Sequence, residues 1–99
     1  MPSESLDSLV RAIRKLHGAK ASWVEAVPVK ETFQEQTVWE GVVQVFDIKG
    51  HPTATRCYAW SYSTEGKKRR FVVVLHQGPV DSPEKAVRAA VVQQTREAW

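Results

Sequence analysis

One thiol, three imidazoles and a run of four cations are the side chains here with the most to offer chemistry. Cys57 and His76 are the simplest nucleophile–base pair to weigh. A thiol attacks only as the thiolate, and an imidazole within hydrogen-bond reach can take its proton. Such a pair also needs donors for a developing oxyanion, and no glycine-rich nucleophile turn accompanies Cys57. The expectation is a small buried thiol without a catalytic task. His17, His51 and His76 fall in three separate elements and share no ligand spacing with a cysteine, so neither a metal nor a cofactor is expected. His17 suits a helix C-terminus, where a cation complements the dipole, and His51 suits a turn. Glu25, Glu31, Glu40 and Asp47 form no paired-carboxylate motif. Gly78-Pro79-Val80-Asp81 precedes a helix but lacks a phosphate-loop pattern. The chain is therefore not expected to be an enzyme.

The cations Lys67, Lys68, Arg69 and Arg70 are consecutive, in a chain of net charge +3. They admit two readings. One is phosphate contact, through charge and counterion release. The other is a solvated turn that keeps a sheet edge from aggregating. Tyr58, Trp60 and Tyr62 alternate along one strand, where they are either a stacking platform beside those cations or simply core. A nucleic-acid site built on this pattern would use Lys67, Lys68, Arg69, Arg70, Tyr58, Trp60 and Tyr62. Arg11, Arg14, Lys15 and Arg88 are further cations whose convergence with them the sequence does not show.

These side chains must be positioned by a small number of elements. Leu6, Leu9, Val10, Ile13 and Leu16 repeat with helical spacing and predict a helix over residues 4–17, ended by Gly18. Val27, Val29, Glu31 and Phe33 share a strand parity, but Pro28 cannot donate to a ladder, so a strand here belongs at an edge. Residues 34–36 read as a turn. Residues 38–48, 54–63 and 69–76 are rich in β-branched and aromatic residues and predict three strands with short connections, hence antiparallel neighbours. Gly41 is a candidate bulge. Ser82-Pro83-Glu84 is a helix start: a capping hydroxyl, a proline that needs no partner, and an acid on the dipole. Val87, Ala90, Val91 and Ala98 make its apolar stripe.

The expected fold is α+β: a three- or four-stranded antiparallel meander between two helices, α-β-β-β-α, or α-β-β-β-β-α if the Pro28 segment joins. Packing both helices on one face gives two layers and leaves the other face open. The register of the last hairpin decides where the aromatics point. A two-residue loop pairs Trp60 with Phe71 and Tyr58 with Val73, placing the aromatics with Phe71, Val73 and Leu75. A longer bulged turn pairs Trp60 with Arg70 and Tyr58 with Val72, reversing the faces. Burial of 150–250 Å² per aromatic, at about 25 cal/mol per Å², favours the first.

The order helix, three strands, helix resembles the double-stranded-RNA-binding domain. That family places a lysine cluster at the start of its second helix. The matching stretch is Asp81-Ser82-Pro83-Glu84-Lys85-Ala86-Val87-Arg88, in which Lys85 and Arg88 are basic and Asp81 and Glu84 oppose them. Ala89-Ala90 matches the family's small residues. The resemblance implies RNA phosphate contact from this helix start, the first helix and a hairpin loop.

Length and composition bound the rest. Ninety-nine residues, 42% hydrophobic and 25% charged, fit one globular domain spanning 1–99. No run approaches the roughly 20 apolar residues of a membrane helix, and residues 1–5 lack the basic-then-apolar order of a signal peptide. With a single cysteine, a cytoplasmic location is expected, with no membrane partner. The function expected is a small non-catalytic interaction domain that binds a protein partner or itself through the open sheet face. The alternative is the nucleic-acid-binding module above.

Overall fold

The computed structural model describes residues 6–63 and 69–97. Helix α1 (Leu6–His17) is followed by strands β1 (Lys20–Phe33), β2 (Gln36–Lys49), β3 (Arg56–Ser63) and β4 (Arg69–Leu75), then by helix α2 (Pro83–Glu97). The strands form one antiparallel sheet in the order β1-β2-β3-β4. This is the α+β arrangement with four strands, and the Pro28 segment is an edge strand as its missing N–H requires.

Local signals explain the element ends. Gly18, at φ 65°, donates its N–H to the Arg14 carbonyl at 2.8 Å and closes α1. Ser82 caps α2, accepting from the Lys85 N–H on its hydroxyl at 3.3 Å and from the Ala86 N–H on its carbonyl at 3.0 Å. The β1–β2 hairpin turns through Gln34 and Glu35, at φ 52° and 65°. Two left-handed residues match the twist of a two-residue hairpin, although neither is a glycine. After β2, the His51 ring holds the next turn: its Nδ1 accepts the Thr53 N–H at 3.1 Å and the Ala54 N–H at 3.0 Å.

The helices lie on opposite faces of the sheet, which corrects the one-face, two-layer expectation. Leu9 and Ile13 of α1 pack with Phe46, Ile48, Cys57 and Ala59, flanked by Phe71, Val73 and Leu75. Ala86 and Val87 of α2 pack with Val29, Val43, Val45, Tyr58 and Trp60, flanked by Val72 and Val74. Residues 57 and 59 oppose 58 and 60 across β3, so the two clusters sit on different sides. The molecule is thus three layers, helix–sheet–helix. The physical cause is visible in Phe71-Val72-Val73-Val74-Leu75: an unbroken apolar run serves a strand covered on both faces, where alternation serves one covered on a single face.

Two further expectations change. The last hairpin pairs Trp60 with Val72 and Tyr58 with Val74, which is neither proposed register. Five residues, 64–68, separate β3 from β4. The aromatics are core, but on the face away from Phe71, Val73 and Leu75. Gly41 is not a bulge, since it pairs regularly with Val29; the register shifts fall between Trp23 and Glu25 and between Glu31 and Thr32. Gly41 instead makes room for an indole. A Cβ there would lie 3.0 Å from the Trp39 ring, and that ring meets Trp60 edge-on at 5.4 Å.

Candidate functional site

The sheet separates the groups that chemistry would need together. Cys57 is fully buried beneath α1, and burial pushes its thiol up to about 12. His76 follows β4 on the α2 side. Its Nδ1 lies 2.6 Å from the Tyr58 hydroxyl, which is held above the usual phenol range by burial, partly offset by the Arg56 charge. The Cys57–His76 pair is therefore not assembled. His17 and His51 do meet, edge to face, with centroids 6.1 Å apart. Among the described residues no three His, Cys, Asp or Glu side chains gather as metal ligands.

The stacking platform is likewise not formed. Tyr58 and Trp60 are 2% and 3% exposed beneath α2, while Tyr62, on the same face, is 36% exposed. Lys67 and Lys68 lie outside the described residues. Arg69 opens β4, and Arg70 is exposed beside it. Arg70 does converge with two cations of the first helix. With Arg11 and Lys15 it lines a groove of about 570 Å³ floored by Ala12 and Phe71.

Three other cations are committed elsewhere. Arg88 Nε reaches Glu31 Oε1 at 2.8 Å, Lys85 Nζ reaches Asp81 Oδ1 at 3.0 Å, and Arg56 Nε reaches Asp47 Oδ1 at 3.1 Å. The Lys85 ammonium, by hydrogen bond and by charge, holds the Asp81 carboxyl below its ordinary value. Lys85 and Arg88, the basic residues at the start of α2, are thus both matched to carboxylates. Among the described residues, Arg11, Lys15 and Arg70 form no ion pair.

The larger uncovered surface is apolar, and it belongs to the β1–β2 hairpin. Trp23, Val24, Phe33, Val38 and Val42 are all exposed there, Trp23 by 50% and Phe33 by 65%. Each strand has 14 residues, longer than either helix covers. On the α1 side, Trp23 and Val42 extend past α1, and the Trp23 indole N–H donates to Gln44 Oε1 at 2.8 Å. At the hairpin tip, Phe33 and Val38 form a groove of about 710 Å³ with Val91 and Val92 of α2. A further groove, of about 380 Å³, runs along the free edge of β4 between His17 and the Ala89–Ala90 segment of α2.

Sequence reasoning missed all three of these surfaces. The signal for the first two was the length of the strand pattern, from Val27 back through Trp23 and on to Ile48. The signal for the third was the absence of charge or proline between Phe71 and Leu75. No family model, curated protein or solved structure matches this chain.

Proposed function

We propose that this chain is a small non-catalytic interaction domain, binding a protein partner or its own copy through strand surface that the helices leave uncovered. One observation carries the reading: five large apolar side chains stand exposed on a single hairpin. Scattered exposed apolar residues are ordinary, but a concentration on one element marks a contact surface. The sheet face expected to be wholly open is partly roofed by α1, and the contact surface moves to the part beyond it.

Trp23→Ser, Phe33→Ser and Val42→Thr together remove the apolar character without touching the buried clusters. Stability is expected to change by no more than about 1 kcal/mol, as for exposed positions generally. Complexes that the native chain forms with partners, cross-linked in extracts of its own cells, are expected to disappear. Identical complexes with both chains, or none with either, overturn the reading.

A second reading rests on the groove where Arg11, Lys15 and Arg70 meet with no ion pair to a carboxylate among the described residues. Three unmatched cations on two elements suit a phosphate backbone. Fluorescence anisotropy with labelled single- and double-stranded RNA and DNA at low salt tests it. Binding should weaken by a slope of roughly 0.9 in log K per phosphate contacted as log salt rises. It should be lost when Arg11, Lys15 and Arg70 are replaced by Gln. No change in anisotropy with any of the four probes removes this reading.

A further inference from the structure

The two edges of the sheet are treated differently. The β1 edge is protected: its register breaks at Val24 and again near Thr32, Pro28 offers no N–H, and Lys20 and Lys30 add charge. Each of these devices discourages strand addition. The β4 edge has none of them between Phe71 and Leu75. Its pairing with β3 is unbroken, and Phe71, Val72, Val73, Val74 and Leu75 are all only half-buried.

The hydrogen bonds identify the groups that face outward. His76 donates its N–H to the Arg56 carbonyl at 2.9 Å, next to the Cys57–Leu75 pair. By the alternation of an antiparallel ladder, Val74 and Val72 also point their backbone groups toward β3. The N–H and C=O of Phe71, Val73 and Leu75 therefore point to the free edge. The groove along that edge has walls suited to an incoming strand, with Ala89, Ala90 and Gln93 of α2 on one side and His17 on the other.

We infer that a second copy of this chain fills the groove, joining β4 to β4 in antiparallel register about a two-fold axis at Val73. This rests on the interaction-domain reading and extends it to a second uncovered strand surface, the β4 edge, for which it names the occupant. The strand is self-complementary about that residue. Val73 meets Val73, Val72 meets Val74, and Phe71 meets Leu75, so every apolar residue faces another. Arg70 falls opposite His76, and Arg70 never faces its own copy. A register centred on Arg70 would oppose it to its own copy, a like-charge contact that costs stability. At Val73 the outward groups of Phe71, Val73 and Leu75 all find partners, about six backbone hydrogen bonds in total. The two sheets then continue as one, and each α2 meets its copy across small or uncharged residues. The arrangement is isologous and closed, so it stops at two copies.

Sedimentation equilibrium and amide hydrogen exchange on the full chain, at dilute and at near-millimolar concentration, test the inference. Expected are a doubled mass and protection of the Phe71, Val73 and Leu75 amides that appears only when concentrated. The Val72 and Val74 amides should be protected at both concentrations. Val73→Pro removes an outward N–H while sparing the β3 ladder, and it should leave a folded monomer. Ala89→Glu, on the exposed surface of α2, places like charges across the axis and should weaken the dimer at least tenfold without altering the fold. A chain that stays monomeric when concentrated overturns the edge dimer. So does a dimer whose Val73 amide exchanges freely, or one that Ala89→Glu leaves intact. If such a dimer is instead lost on removing the apolar side chains of Trp23, Phe33 and Val42, the interaction-domain reading stands and only the edge is wrong.

Discussion

Trp60→Ala is expected to destabilise the fold by about 3–5 kcal/mol, the range for deleting a large buried aromatic. Folded domains hold only about 5–15 kcal/mol in total, so the variant should be near the limit of folding. Trp60 is 3% exposed and packs with Trp39, Val72 and the Ala86–Val87 turn of α2. Its removal leaves a cavity that the alanines of α2 are too short to fill. Tyr62→Ala, two residues along the same face, should cost less, about 1–2 kcal/mol, because Tyr62 is 36% exposed. Urea unfolding of the two variants side by side measures the contrast. Equal, small losses would mean that Trp60 is a surface platform and that α2 does not rest on it.

Above pH 9 the fold is expected to lose stability through its one thiol. A thiol with its folded-state pKa raised from 9.0 to about 12 stabilises the fold fully below 9.0. That contribution is lost progressively as pH rises toward 12, because the unfolded chain releases a proton that the folded chain retains. The full span corresponds to roughly 4 kcal/mol. Tyr58, also raised, acts in the same direction at higher pH. Cys57→Ala should flatten the alkaline limb of the stability curve, and urea midpoints from pH 8 to 11 would reveal it. The same burial should slow alkylation of Cys57 in the native state at pH 8 on the order of a thousandfold relative to the unfolded chain. Rapid native labelling would contradict the packing of α1 over Cys57.

Much of the fold was legible because its signals are local. The apolar spacing from Leu6 to Ile13, Gly18 at the helix end, Ser82-Pro83 at the next helix start, and Pro28 on an edge each act within a few residues. The placement of α2 was not legible in the same way. It depends on which face of β3 meets which face of β4, and five residues separate those strands, a length that fixes no turn type. The apolar patterning was equally ambiguous, since β2 carries Val43 and Val45 toward one helix and Phe46 and Ile48 toward the other. Burial of the aromatics was anticipated on energetic grounds, yet the neighbours assigned to them were wrong. The uncovered surfaces were hidden for a further reason. Trp23, Phe33 and Val42 have the residue types of a core, and only the reach of the helices reveals that they lie outside it. The convergence of Arg11, Lys15 and Arg70 spans nearly 60 positions and follows from how α1 crosses β4.

A sheet clad on both sides divides the apolar interior into two compartments that share only backbone. Release of α2 bares Trp60 and Val45 while Phe46 and Cys57 stay sealed under α1, and release of α1 does the reverse. Partial unfolding therefore has two distinct routes, each with a resident reporter: indole emission from Trp39 and Trp60 for one, thiol reactivity for the other. Followed together during denaturation, the two reporters would tell whether this small molecule opens as a whole or one leaf at a time.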